Sequence, residues 1–214
     1  MPAAPSPCRR VVSAMALDRQ ALVRRGLRLN YATLGYNALE AVASIIAGLV
    51  AGSVALMGFG LDSVVEVTAS GVAQWRLRAD LDERRRHAVE RTARHLVGWC
   101  FIVLALYVTY ASGRSLLLRE RPERTVAGIV ILALSVLVMP VLARAKRRVA
   151  HGLESGALRA EARQTSLCAW LSSIALAGVA LNAALGWWWA DPAAALAMVP
   201  IIVQEGLEGV RAGA

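Results

Sequence analysis

The sequence predicts an all-α polytopic membrane protein with six transmembrane helices and both termini cytoplasmic. Three observations carry that expectation. The 214 residues are 57% hydrophobic, only 18% are charged, and the charges cluster between long apolar runs instead of dotting every helix face. Lipid accepts apolar side chains in blocks of roughly 20 residues, and only helices or closed barrels satisfy the backbone there. Strict period-2 alternation is absent, which excludes a barrel.

The apolar blocks are Tyr31–Val50, Val54–Trp75, Leu96–Leu118, Val126–Leu142, Ser166–Leu185 and Pro192–Val203. Ala51–Ser53 makes a tight turn, so the first two form a hairpin. The last block is short, although helix can continue through Gly206. Residues 1–28 hold Pro2, Pro5, Pro7 and six Arg with no signal-sequence core. They are expected to be a mostly disordered cytoplasmic tail with an interfacial helix near Leu17–Leu29. Residues 29–209 form the membrane domain and 210–214 a short cytoplasmic tail.

Charge orients the bundle. Of 24 Lys+Arg, twenty fall in segments on one side; only Arg114, Arg119, Arg121 and Arg124 fall on the other. The basic side is therefore expected to be cytoplasmic. The net charge of +9 reads as positive helix flanks, with no aromatic-interleaved basic stripe for nucleic acid. Trp187, Trp188 and Trp189 then fall at the outer interface, where indole rings prefer to lie. Cys8, Cys100 and Cys168 form no CxxC pair, and their odd number argues against a disulfide framework.

Ionisable groups inside spans are expensive, roughly 2.5–3.5 kcal/mol each at a helix centre, so each needs a partner or a purpose. Glu40 in the first helix and Asp62 and Glu66 in the second qualify. Asp62 and Glu66 stand one turn apart on one face, and two such carboxylates need protons or a metal ion between them. Ser70 and Gln74 continue that face. The first helix has a stripe of its own, Asn30, Thr33, Asn37, Glu40 and Ser44. Glu40 and Asp62 reach similar depths. Asn37 is equally well explained as a hydrogen bond between helices.

Gln164, Cys168 and Ser172 repeat at i, i+4, i+8 in the fifth helix. On periodicity alone Cys168, like Cys100, is a small buried hydrophobe. Glu161 reads first as a partner of Arg159 or Arg163 at a helix end. Asp191-Pro192 reads as the N-cap and first residue of the sixth helix. Gly48, Gly52, Gly58 and Gly60 allow the first two helices to approach closely. His87, His95 and His151 form no metal-spaced cluster. The third and fourth blocks contain no acid and look like scaffold. No Ser/His, HExxH or Asp/Lys constellation lies within the spans, so an enzyme is not expected.

The segments "SVALMGFGLDSVVEV" and "SGALRAEARQTSLCAW…WWWADPAAALAMV" resemble the second, fifth and sixth helices of the cation diffusion facilitator family, from about Leu29 to Gly209. The resemblance implies proton-coupled export of a divalent cation by a homodimer in the cell (inner or plasma) membrane. The metal would lie between the second and fifth helices. Asp62 and Glu66 match the family's second-helix ligand pair. Gln164 and Cys168 fall where the family has His or Asp and then Asp, and Glu161 falls on its Ala-acid pair. Asn37, Glu40 and Glu161 make an additional polar or proton site. Three departures stand out: the missing fifth-helix carboxylate, the missing cytoplasmic metal-sensing domain and the missing His-rich loop. Two carboxylates with a thiolate suit Zn²⁺, Cd²⁺ or Co²⁺, with Zn²⁺ first because the resemblance leans that way. An all-oxygen site completed by Glu40 and Gln164 would favour Mn²⁺. No resident cofactor is expected, only the transported ion. The competing expectations are a proton-coupled exporter of organic cations and a non-transporting membrane partner.

Overall fold

The computed structural model describes residues 7–78, 83–153 and 156–213, with side chains at 21–68, 70–71, 92, 95–153, 159 and 161–211. These residues form six helices: α1 (Pro7–Ala51), α2 (Val54–Arg78), α3 (Glu83–Leu118), α4 (Val126–Gly152), α5 (Gly156–Leu185) and α6 (Ala190–Gly213). Five of them contain a described stretch long and apolar enough to cross a membrane: Ala21–Ala51, His95–Leu118, Val126–Gly152, Glu161–Leu185 and Ala190–Arg211.

At one end of the bundle the helices stop where the apolar blocks stop, at residues 51, 54, 118, 126 and 185, with α6 beginning at 190. At the other end every helix overruns its block. α1 is already helical from Pro7, α4 carries its basic residues on helix as far as Gly152, and α5 carries Arg159 and Arg163 on a helix that begins at Gly156. The expectation of a mostly disordered tail is thus corrected over 7–16, while the helix expected near Leu17–Leu29 is present as part of α1, which runs from Pro7 without a break. Hydrophobicity marks the thickness of the apolar layer, whereas backbone hydrogen bonding carries a helix on into water. That is why sequence blocks end short only on the charged side.

Side-chain placement is inside-out relative to a soluble domain. Leu39, Leu49, Val50, Leu117 and Trp170 face outward, Leu117 with 85% exposure, while Asn37, Glu40, Ser44, Asp62, Ser63 and Glu66 are buried. Polar atoms inside and apolar ones outside is the arrangement that lipid selects.

The ends where helix and apolar block stop together are tightly tied. Gly52, at φ +64, turns α1 into α2. The Glu123 amide donates to Ala51 O at 2.8 Å, and Asn182 Nδ2 to Pro122 O at 3.0 Å. Thr125 caps α4 by accepting from the Gly128 amide. In the α5–α6 turn Trp187 and Trp189 stack with centroids 5.3 Å apart.

Close packing is set by glycine. A Cβ on Gly60 would sit 2.9 Å from Ile45 Cγ1, and one on Gly48 2.9 Å from the Met57 amide nitrogen, so these two bring α1 against α2. Gly58 instead faces Val108 of α3, and Gly52 faces open space. That corrects the reading of all four as one interface. Cys100 is exposed, not the buried hydrophobe the sequence suggested.

Candidate metal centre

The α1–α2 hairpin sets the register of the site. With Gly60 against Ser44, the next turns bring Ser63 against Glu40 and Glu66 against Asn37. Asn37 Nδ2 donates to Glu66 Oε2 at 2.8 Å, and Ser63 Oγ donates to Glu40 Oε2 at 3.4 Å. The whole α1 stripe expected from spacing, Asn30, Thr33, Asn37, Glu40 and Ser44, is buried. Asn37 is therefore both a helix–helix hydrogen bond and a support for Glu66.

α5 approaches the far side of α2. Ligand atoms of Asp62, Glu66 and Cys168 all lie within 4.8 Å of one another, and all three residues are buried. A tetrahedral Zn²⁺ with oxygen at about 2.0–2.2 Å and sulfur at about 2.3 Å would hold such donors roughly 3.5 Å apart. Small side-chain rotations close that difference. Gln164 lines the same cavity, a space of about 10 Å³ bounded also by Phe101, Leu171, Ile202 and Glu205. Ser70 is half-buried one turn beyond Glu66, and the side chain of Gln74 lies outside the described residues.

Glu161 stands elsewhere. Its Oε2 lies 3.5 Å from Lys146 Nζ of α4, which also reaches Thr165 Oγ1 at 3.4 Å. Lys146 is a partner of Glu161 that the sequence did not offer, brought there because α4 and α5 run on as helices and face one another. Asp191 also has a different task from the one expected. It lies in the first turn of α6, but its carboxylate accepts from Ser53 Oγ at 2.5 Å and the Val54 amide at 2.8 Å, and more distantly from the Ala55 amide. It therefore caps α2, not its own helix, and its charge meets the positive end of that helix.

These two pairings single out the remaining acids. Lys146 neutralises Glu161, and the α2 N-terminus neutralises Asp191. Among the described residues, no ion pair closes on Asp62, Glu66 or Glu40, although the buried Lys146 ammonium acts on Glu66 from a distance, and Asp62 Oδ2 and Glu40 Oε1 accept no hydrogen bond. Two ionised carboxylates one turn apart in a dry interior repel strongly unless a cation joins them. The centre therefore gathers more negative charge than the single ammonium of Lys146, already paired with Glu161, can offset.

Sequence reasoning missed Glu205 and Lys146. Glu205 lines the cavity from α6. Its signal was an acid one turn beyond Ile201 on a helix whose apolar block ends at Val203. Lys146 had no signal separating it from the arginines around it.

A bundle with an apolar exterior and acids gathered at its centre defines a multi-span membrane protein organised around a buried cation-attracting site. The chain belongs to the cation efflux family, matching the cation efflux transmembrane domain over residues 31–213. It is also 30% identical over 174 residues to a protein of Synechocystis sp. (strain ATCC 27184 / PCC 6803 / Kazusa) described as an uncharacterized transporter. That similarity covers 78% of this chain and 56% of the relative, so the chain spans little more than half of that protein's length.

Proposed function

We propose that this protein transports a divalent metal cation, Zn²⁺ before Cd²⁺ or Co²⁺, in exchange for protons. All six helices would span the cell membrane, with both termini cytoplasmic, and the chain would work as a homodimer. The observation that carries the metal is the gathering of Asp62, Glu66 and Cys168 within 4.8 Å, buried and in no close ion pair among the described residues. Two carboxylates and a thiolate make a mixed hard and soft donor set that suits Zn²⁺ and its neighbours and serves Mg²⁺ poorly. Gln164 lines the cavity as a neutral fourth donor. A space of about 10 Å³ admits one water-sized body, and an organic cation needs a pocket of roughly 300 Å³ or more. The competing exporter reading therefore loses ground. Orientation rests on the twenty basic residues at the end where the helices overrun their apolar blocks. Membership of the cation efflux family supports export of a cation, and the homodimer is part of the proposal.

Mechanistically, Asp62, Glu66 and Cys168 bind the ion only as deprotonated groups, so an arriving metal displaces protons. Protons held at low pH block the site, and affinity rises as pH rises, by about tenfold per pH unit for each proton displaced while the acids still hold protons. The direct test uses the full chain in proteoliposomes loaded with a pH dye. Zn²⁺ flux should be accompanied by opposite proton movement. Changing Asp62→Asn with Glu66→Gln should weaken Zn²⁺ binding beyond the roughly 10–100-fold typical of losing an outer partner. Undiminished metal flux by that double variant would refute the site. Flux independent of pH would leave a uniporter.

A further inference from the structure

The cavity at the divalent centre has a wall that the ligand set does not use. Asp62, Glu66 and Gln164 line it from α2 and α5, and Ile201, Ile202 and Glu205 line it from α6. Ligand atoms of Asp62, Glu66 and Cys168 gather within 4.8 Å, and Glu205 is outside that cluster. Its charge nonetheless acts on Asp62, ahead of that of Glu40. Asp62 is 2% exposed, and its Oδ2 accepts no hydrogen bond. A buried oxygen of this kind is ordinarily satisfied, and each exception calls for an explanation.

Exposure grades along the α6 side of the cavity. Glu208 is exposed, Glu205 one turn before it is half-buried, and Asp62 across the cavity is buried. Packing fixes this register. Gly206, next to Glu205, meets Ile102 of α3, where a Cβ would come within 2.8 Å of Cδ1, so α6 cannot rotate freely at this level. Among the described residues no ion pair closes on Glu205. Arg163 of α5 acts on it from an exposed position. A cation moving from water into a dry interior loses hydration before its final ligands close, and that desolvation is costly. A carboxylate partway supplies negative charge where the cost is rising. Sites in series, each weaker than one deep trap, let an ion both enter and leave.

We propose that Glu205 is the entry ligand of the centre, taking the divalent cation from water at the basic end of the bundle and passing it to Asp62, while standing outside the set that holds the bound ion. This rests on the divalent reading above and adds to it a route of access. An entry ligand lowers one barrier seen from both directions, so it changes association and release together and leaves the equilibrium nearly untouched. A ligand of the bound ion, by contrast, changes the equilibrium itself.

The test measures rates and equilibrium on the same preparations. The full chain in lipid nanodiscs is mixed with Zn²⁺ in a stopped-flow instrument, release is followed with an excess of a fluorescent chelator, and Kd is read by calorimetry. Glu205→Gln should slow association and release alike by about tenfold or more, a barrier raised by about 1.4 kcal/mol or more. Its Kd should stay within about fivefold of wild type, the most that a half-exposed charge ordinarily contributes. Glu205→Asp should recover most of the rate. Arg163→Gln, which removes the nearby cation, should leave association as fast or faster. Unchanged rates in Glu205→Gln overturn the proposal. A loss of affinity as deep as that of Asp62→Asn would make Glu205 a holding ligand and overturn the entry role. Slowing by Arg163→Gln to the level of Glu205→Gln would reduce the acid to a partner of Arg163 and overturn it too. Wild-type protein that binds no Zn²⁺ refutes the divalent reading and this proposal with it, whereas wild-type binding with unaltered Glu205→Gln rates refutes this proposal alone.

Discussion

The α3–α6 seam and the α1–α2 seam both use glycine to bring backbones together, and they surround it with opposite chemistry. A Cβ on Gly98 would lie 2.5 Å from the Val210 amide nitrogen and 2.8 Å from Gly206 O, so α3 and α6 touch almost backbone to backbone. The buried residues beside that seam are Phe101, Leu104, Ala105, Val108, Met198 and Ile202. Across the α1–α2 seam, Gly48 and Gly60 are flanked by Asn37, Glu40, Ser44, Ser63 and Glu66. Apolar neighbours reach their energy minimum through contact alone. Buried oxygens do not, and several in the second seam have no partner. One seam is closed by apolar contact, and the other buries polar oxygens that contact alone does not satisfy.

That division is broken most forcefully at Gly98. Gly98→Leu drives a side chain into the backbone of α6, which cannot swing aside, whereas Gly206→Leu first meets the Ile102 side chain and is the milder of the two. Such overpacking typically costs about 1–3 kcal/mol and occasionally more. We expect a large fall in Tm in detergent with unchanged Zn²⁺ affinity in the surviving folded fraction. Gly113→Ala is the control. Its Cβ meets nothing, so stability should hold or rise by up to about 1 kcal/mol. A Gly98→Leu protein as stable as wild type would remove the distinction between the seams.

Asp191 tests whether α2 is held from outside. Losing a capping side chain costs about 0.5–2 kcal/mol, and here Ser53 and the Val54 amide would lose their partner together. Asp191→Ala should lower Tm and speed hydrogen exchange at the Val54 and Ala55 amides. Exchange there at the wild-type rate would mean that water or another group caps α2 equally well.

Legibility in the sequence followed the same division. The α1 stripe was readable because residues spaced three and four apart share a helix face, and the Asp62/Glu66 pair because four residues make one turn. Burial of every member of the stripe bears this out. Cys168 was visible only through the family resemblance, since an isolated cysteine in an apolar helix is ordinarily packing. Asp191 was correctly placed in the first turn of α6 and given the wrong partner. Its donors lie more than 130 residues away in sequence, and local capping rules carry no information over that distance. Lys146 looked like any loop cation because composition reports charge and not depth. Its burial follows from α4 continuing ten residues past its apolar block, to Gly152. Glu205 was lost for the same reason at the end of α6.

The finest test asks whether Cys168 belongs to the polar seam's chemistry or to the apolar packing around it. It is fully buried, as either role would require, so burial does not discriminate. Its Sγ lies within 4.8 Å of carboxylate oxygens of both Asp62 and Glu66, and a merely packed thiol gains nothing from two acids at that distance. Cys168→Ser keeps the size nearly constant and exchanges a soft donor for a hard one. Soft ions lose most by that exchange, so Cd²⁺ affinity should fall by about tenfold or more relative to Mn²⁺. Calorimetry with the two ions on the same preparation reads the ratio, which cancels any common loss from altered packing. Equal changes for Cd²⁺ and Mn²⁺ would assign Cys168 to packing, and the ion would then rest on Asp62, Glu66 and oxygen donors such as Gln164. An oxygen-only centre would move the preferred cargo away from Zn²⁺ and toward Mn²⁺. The single sulfur atom thus decides which metal the two acids are set to hold.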